Sequence, residues 1–102
     1  MAAMYSRWDR RDGADRAKLG AAAFELCRAS RQQGARSCRF YWVNADTVVI
    51  LTEADDMHMF DDEPKPELAQ AMFTLSDLAR MTQTERWMDP RVGEANYRIA
   101  GR

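Results

Sequence analysis

Three segments of the chain alternate hydrophobic and polar residues with the period of two that is typical of strands. They are AMYSRWDR at residues 3–10, RSCRFYWV at residues 36–43 and EANYRIAG at residues 94–101. A fourth segment, TVVILTEA at residues 47–54, is a β-branched run that follows the turn residues Asn-Ala-Asp. The sequence therefore predicts four strands, of which the second and third form a hairpin.

Two further segments repeat their apolar residues every three or four positions, which predicts amphipathic helices. The first follows Asp12, which is expected to cap it, and it ends at Gly34. Its inward positions are Leu19, Ala22, Ala23, Leu26, Cys27 and Ser30. The second follows two prolines that flank Lys65, and its inward positions are Leu68, Ala71, Met72, Leu75, Leu78 and Ala79. The pattern lets this helix continue into TQTERWM, residues 82–88, and Pro90 must end it.

The predicted order βαββαβ is that of the ferredoxin-like fold, in which two helices cover one face of a four-stranded antiparallel sheet. With 102 residues and 46% apolar content, the chain is expected to form a single α+β domain over residues 1–102. The strands are apolar on their second face too, where they carry Tyr5, Tyr41, Val43, Val49 and Leu51. A bare face of that composition exceeds the few hundred Å² that a monomer usually exposes. We therefore expect a homodimer that pairs through its sheets.

In length, element order and two-sided strands, residues 3–100 resemble the dimeric α+β barrel superfamily, in which two ferredoxin-like sheets pair face to face. The stretch VVILTEADD, residues 48–56, is similar to the corresponding strand of its polyketide cyclases. The superfamily also includes cofactor-free monooxygenases of the antibiotic-biosynthesis type, haem-degrading enzymes, lactone isomerases and groups of unknown role. The resemblance implies a dimeric α+β barrel with a ligand cavity between the sheet and the helices of each subunit.

The same resemblance implies that this cavity is lined by large side chains that lie between the sheet and the helices: Trp8, Phe40, Trp42, Met72 and Tyr97. Such walls suit a small, flat, hydrophobic or aromatic ligand. The alternative, that these residues form an ordinary core, is the commoner use of aromatic residues under helices. Trp87 also has two alternatives, a place at the cavity mouth as part of the ligand site or packing beneath the last strand, and packing is favoured.

Charge and composition restrict the classes of partner. Lys and Arg number 15 and Asp and Glu number 16, so the net charge gives no reason to expect nucleic acid or an anionic membrane surface. There is neither an apolar run of about 18 residues nor a signal-peptide pattern at the start of the sequence. We therefore expect a cytoplasmic protein. Its two cysteines, Cys27 and Cys38, have no metal-binding or redox spacing and are expected to be small buried hydrophobic residues.

The segment TEADDMHMFDDEPKPE, residues 52–67, carries six acidic residues within its first twelve positions and the only histidine of the chain, His58. A calcium loop would need a glycine and a fixed alternation of carboxylates, and a zinc site would need further His or Cys residues nearby. Neither condition is met, so no metal and no cofactor is expected. The segment is better interpreted as a solvated loop that leads into the second helix. His58 nevertheless remains a candidate general base because imidazole titrates near neutrality.

Two further candidates for proton handling or oxyanion binding are Tyr41 and Arg39, on the sheet face away from the helices. The other polar residues expected on that face are Arg7, Glu53, Asn96 and Arg98. Its arginines outnumber its one carboxylate, so they would pair with acidic residues of a partner subunit or bind an anion, and pairing at the interface is favoured. Two functions stay open. One is a small cofactor-independent enzyme of the monooxygenase or cyclase type that acts on an aromatic or polyketide-like molecule. The other is a non-catalytic ligand-binding or accessory module.

Overall fold

The computed structural model describes residues 1–88, and the structural statements below concern that part of the chain. Its elements, in chain order, are strand β1 (Ala2–Arg10), helix α1 (Arg16–Gln32), strand β2 (Ser37–Asn44), strand β3 (Thr47–Ala54), the single-turn helix α2 (His58–Asp61), helix α3 (Pro66–Leu78) and strand β4 (Ala79–Met88). The strands form one antiparallel sheet in the order β2-β3-β1-β4. This confirms the predicted α+β, ferredoxin-like fold.

Helix α1 begins three residues later than predicted. Its N-cap is Asp15, whose side chain accepts a hydrogen bond of 3.0 Å from the backbone N–H of Lys18, so the assignment of Asp12 as the cap is wrong. Gly13 has a φ of +81°, and the turn that it makes with Asp12 delays the start of the helix. The predicted end is confirmed, because Gly34 follows the cap residue with a φ of +120°.

Helix α3 stops at Leu78, and the predicted continuation of a helix into residues 82–88 is wrong. Ala79 is already extended, and the chain pairs from there to Met88 along the whole length of β1. The physical reason is that β1 would otherwise leave its second edge of backbone N–H and C=O groups without partners. The strand predicted at residues 94–101 lies outside the described residues, and so does its Tyr97.

The hydrophobic core lies between the sheet and the two longer helices. Its fully buried side chains are Leu19 of α1, Leu75 of α3 and Val48 and Ile50 of β3. On β1, Ser6 and Trp8 face this layer and are buried, as predicted from the alternation. No helix within residues 1–88 is long and apolar enough to cross a membrane.

The side of the sheet that faces away from the helices is called the open face here. The register places on it Tyr5 and Arg7 of β1, Arg39 and Tyr41 of β2, Val49, Leu51 and Glu53 of β3, and Gln83, Glu85 and Trp87 of β4. The rings of Tyr5 and Trp87 stack with their centroids 5.8 Å apart. The predicted positions of Arg7, Arg39 and Glu53 are therefore confirmed, whereas Asn96 and Arg98 lie outside the described residues.

Candidate ligand cavity

A cavity of about 630 Å³ lies between the sheet and the helices. Its floor comes from β1, β3 and β4, and its roof comes from α1, α2 and α3. The apolar residues that line it are Met4, Trp8, Leu26, Ile50, Met59, Leu68, Met72, Ala79 and Met81. A void of this size, mostly apolar with a few polar groups, is typical of a site for a small organic ligand.

The void exists because α3 covers the sheet unevenly. The buried side of α3 carries Leu68, Ala71 and Leu75, and this helix packs closely against α1. Met72 points toward the other side and is 43% exposed. In β4, Ala79 is buried, but every residue after it is exposed. The gap between α3 and β4 therefore remains open as the cavity.

Five hydroxyl groups belong to residues that line the cavity, and four of them have a partner within the protein. Ser76 donates to the carbonyl of Met72 in the preceding turn of α3. The hydroxyls of Thr52 and Ser30 both interact with the thiol of Cys38, the former at 3.2 Å. Ser6 accepts a hydrogen bond of 2.9 Å from the indole N–H of Trp8, and Thr84 stands opposite Ser6 on the neighbouring strand.

Three arginines line the cavity, Arg11, Arg80 and Arg86, and two of them are held by oxygen atoms of neighbouring elements. Arg11 donates through Nε to the carbonyl of Ser76 at 2.9 Å, which ties the end of β1 to the end of α3. Arg86 forms an ion pair with Asp61 and donates to the carbonyl of Phe60 at 3.3 Å, which ties β4 to α2. Arg11 and Arg86 therefore already have oxygen partners, and Arg80 is exposed, so none of the three leaves a buried charge without compensation.

Four of the residues predicted to line a cavity lie within the described part of the chain and on the helix-facing side. Trp8 and Met72 do line the cavity. Phe40 instead packs against the core, and it is not a wall of this void. Trp42 is 40% exposed and lies over α1, where its ring is 3.4 Å from the position that a Cβ on Gly20 would take. The reason is that two strands, β3 and β1, lie between β2 and β4, which are the opposite edges of the sheet.

Trp87, Tyr41 and Arg39 lie on the open face, so the sheet separates them from the cavity. Trp87 is not a wall of the cavity: its ring stacks on Tyr5 and its indole N–H donates to Glu85 at 3.0 Å. The alternative that it packs beneath the strand predicted at residues 94–101 involves residues outside the described part of the chain. Glu85 is also bonded by Gln83 at 2.6 Å, so its carboxylate is held on this face. The catalytic roles of Tyr41 and Arg39 remain predictions.

His58 begins the short helix α2, and its side chain is 84% exposed. Its Nδ1 lies 3.2 Å from a carboxylate oxygen of Asp56, which also accepts from the backbone N–H of His58 at 2.8 Å. The next residue, Met59, reaches the cavity. His58 is thus at the cavity's border rather than in its wall, and its role as a base remains a prediction.

The acidic residues around His58 are exposed, and two of them are engaged by arginines. Asp55 pairs with Arg36 at 2.6 Å, and Asp61 pairs with Arg86. Within residues 1–88, no group of three or more His, Cys, Asp or Glu side chains converges as a metal site would require.

The two cysteines are free thiols in the core, each 2% exposed, and they lie behind the cavity wall. Hydrogen bonding from Cys27, assisted by Thr52 and Ser30, lowers the pKa of the Cys38 thiol to about 7 against the opposing effect of burial. The same contact, together with burial, raises the pKa of Cys27. Their burial agrees with the expectation that they act as small core residues.

Sequence reasoning missed the contribution of β4 to the cavity, namely Met81, Thr84 and Arg86. The sequence pattern lets the second helix continue through this segment, and a helix would not place these side chains on one face of the sheet. The signal was present as an alternation in residues 82–88, where Thr84 and Arg86 face the helices and Glu85 and Trp87 face away.

Comparisons with protein-family models and with curated proteins found no match to this sequence. Solved structures do share its fold. The cofactor-independent oxygenase SnoaB from Streptomyces nogalater superposes with a TM-score of 0.75 at 11% identity, over 86% of this chain and 91% of its own. A conserved protein of unknown function from Bacteroides thetaiotaomicron gives 0.71 at 19% identity, over 84% and 94%. An antibiotic biosynthesis monooxygenase gives 0.70 at 14% identity, over 87% and 97%. The resemblance to the fold of the antibiotic-biosynthesis-type monooxygenases is thereby confirmed.

Proposed function

We propose that this protein is a small cofactor-independent enzyme of the monooxygenase or cyclase type, acting on an aromatic or polyketide-like molecule in the cavity between sheet and helices. The observation that carries the proposal is the cavity itself, a mostly apolar void of about 630 Å³ in a protein of only 102 residues. Its fold is shared with a cofactor-independent oxygenase, which supports the reaction class by analogy.

The lining supports an aromatic ligand in particular. Four methionines, Met4, Met59, Met72 and Met81, surround the void together with Trp8. Thioether sulfurs make favourable contacts with aromatic ring edges and adapt to ligand shape, and an indole offers a flat stacking surface. A planar, polycyclic molecule would satisfy such walls better than a sugar or a peptide, since those carry many more polar groups.

Activity is best tested with a hydroxyanthrone, because its enolate reacts with O₂ without a metal. The overall conversion consumes one O₂ per anthrone and yields the anthraquinone and one water. We expect O₂ uptake that persists after EDTA treatment, and we expect Thr84→Trp, which fills the cavity from β4, to abolish it. Ala69→Trp on the exposed surface of α3 is the control and should retain the activity. Uptake that is equal in all three proteins and in a denatured sample would contradict the proposal.

A non-catalytic binding module is the second candidate, and one observation favours it. Among the described residues that line the cavity there is no His, Tyr or Cys, and the carboxylate of Glu85 is held on the open face. Saturable binding of aromatic compounds without turnover of any of them would support this function over the enzyme.

We further propose that two copies of the chain pair through their open faces. Several large side chains of this face are half exposed, with Tyr41 at 51% and Trp87 at 45%. Two opposing charges on β2 and β3, Arg39 and Glu53, lie beside the apolar residues Val49 and Leu51. A second copy would cover the apolar centre and bring charges of both signs to the rim.

A further inference from the structure

We infer that Ser6 and Thr84 form a pair of hydrogen-bond donors for one oxygen of the ligand, and that Trp8 strengthens the donation by Ser6. The inference rests on the proposed function, since it concerns the same cavity, and it narrows the ligand class. The ligand would be an aromatic molecule that carries a ketone or phenol oxygen, and that oxygen would lie on the sheet between β1 and β4.

Ser6 carries a buried hydroxyl whose proton is not used in a hydrogen bond within the described part of the chain. Its residue is 6% exposed and lines the cavity, and its Oγ accepts the indole N–H of Trp8 at 2.9 Å. Within residues 1–88 the Ser6 hydroxyl accepts this hydrogen bond and donates none. A buried O–H without an acceptor is costly, so a ligand oxygen that takes this proton gains binding energy.

Thr84 supplies the second donor. It is the direct partner of Ser6 in the β1–β4 register, so the two Cβ atoms project to the same face at a separation of about 4.5 to 5.5 Å. Within the described part of the chain, the Thr84 hydroxyl has no hydrogen-bond partner. Two hydroxyls at that spacing can both reach one oxygen atom placed above the sheet.

The hydrogen bond from the Trp8 indole makes the Ser6 hydroxyl a stronger hydrogen-bond donor. A hydroxyl that accepts a hydrogen bond becomes a stronger donor, because chained hydrogen bonds polarise one another. In a largely apolar cavity, two such donors stabilise an enolate or phenolate oxygen more than the neutral oxygen. Binding here would therefore lower the pKa of an enol or phenol, which is the activation that a metal-free reaction with O₂ requires.

The test compares two probes of nearly equal shape, 2-naphthol and naphthalene, by titration calorimetry against the full chain. Thr84→Val removes one hydroxyl at constant size, and Ser6→Ala removes the other. We expect each variant to weaken 2-naphthol binding by roughly threefold to tenfold. Naphthalene binding should change by less than twofold, because it has no oxygen to bind.

Ser76→Ala is the matched control, because Ser76 also lines the cavity but its hydroxyl already donates a hydrogen bond to the Met72 carbonyl. It should leave the preference for 2-naphthol unchanged. Ser6→Ala also removes the acceptor of the Trp8 indole N–H, which can destabilise the fold. If that variant does not fold, the comparison of the two probes is made with Thr84→Val alone.

Equal effects on both probes, or none, would overturn the inference while leaving the proposed function in place, since the cavity would still bind aromatic molecules. Failure of the unmodified protein to bind either probe would overturn the proposed function, and the inference with it.

Discussion

Most of the side chains that line the cavity are neutral, and two of its three arginines, Arg11 and Arg86, already have oxygen partners. If the protein is an enzyme, its contribution is therefore to bind, orient and polarise the substrate. Proton removal would then fall to a group at the border, to the substrate itself or to solvent. The predicted candidate base is His58, which directly precedes the cavity-lining residue Met59 in the sequence.

Replacing His58 with Ala tests that role. A positioned general base contributes about 10²-fold or more to a rate, so we expect turnover of a true substrate to fall at least tenfold if His58 is the base. KM should change little, because the His58 side chain is 84% exposed and is not part of the cavity wall. Asp62→Asn, an exposed change in the same segment, is the control. Unchanged turnover in His58→Ala would remove this residue from the mechanism.

The helices and strands were predictable to different degrees, and β4 shows why. Strands β1 to β3 and helix α1 carry clear periodicities, and each forms within a few residues of its predicted range. Residues 79–88 carry no turn signal that separates them from α3, and no glycine marks the end of that helix. Their alternation is compatible with a strand, but pairing with the free edge of β1 is a tertiary contact, and it decides between the strand and a longer helix. For this reason the sequence prediction lacks the part of the cavity floor that β4 supplies, namely Met81, Thr84 and Arg86.

Helix α1 contains a glycine whose replacement should stabilise the protein. Gly20 lies in the helix interior, and an added Cβ would meet only the Trp42 ring at 3.4 Å, an ordinary van der Waals distance. We expect Gly20→Ala to raise the free energy of unfolding by about 0.5 to 1 kcal/mol, the usual helix-propensity difference. Chemical denaturation monitored by circular dichroism measures it.

Gly34→Ala is the opposing control for that experiment. Its φ of +120° disfavours any L side chain, although the space around it is open. We expect it to lower the free energy of unfolding by about 1 kcal/mol or more. Destabilisation by Gly20→Ala would mean that Trp42 packs on α1 more tightly than described.

For the molecule as a whole, the sheet is the organising feature, because each of its faces has a separate use. The helix-facing side holds the core and the cavity, and the open face carries Leu51 and Val49 beside stacked aromatic rings. Pairing through the open face would leave the cavity of each copy accessible from its β4 side. The proposed dimer and the proposed binding site are therefore compatible and can be tested separately.

Leu51→Arg tests the dimer. Leu51 lies on the open face between Tyr5 and Arg39, so a charge there would be buried without a partner in a paired sheet but solvated in a single chain. We expect light scattering to give twice the 11.7 kDa chain mass for the unmodified protein and a single chain mass for the variant. Phe73→Arg is the control, because Phe73 is 65% exposed on α3, and it should keep the doubled mass. A single chain mass for the unmodified protein at micromolar concentration would contradict the dimer.

The most direct test of the central claim, that the void under the helices binds aromatic ligands, is a ¹⁵N NMR titration read at the indole N–H groups. Trp8 lines the cavity, whereas Trp42 lies over α1 and Trp87 lies on the open face. With 2-naphthol, we predict a saturable shift of the Trp8 indole signal and little change in the other two. A shift confined to Trp42 or Trp87, or no shift at millimolar probe, would contradict the claim.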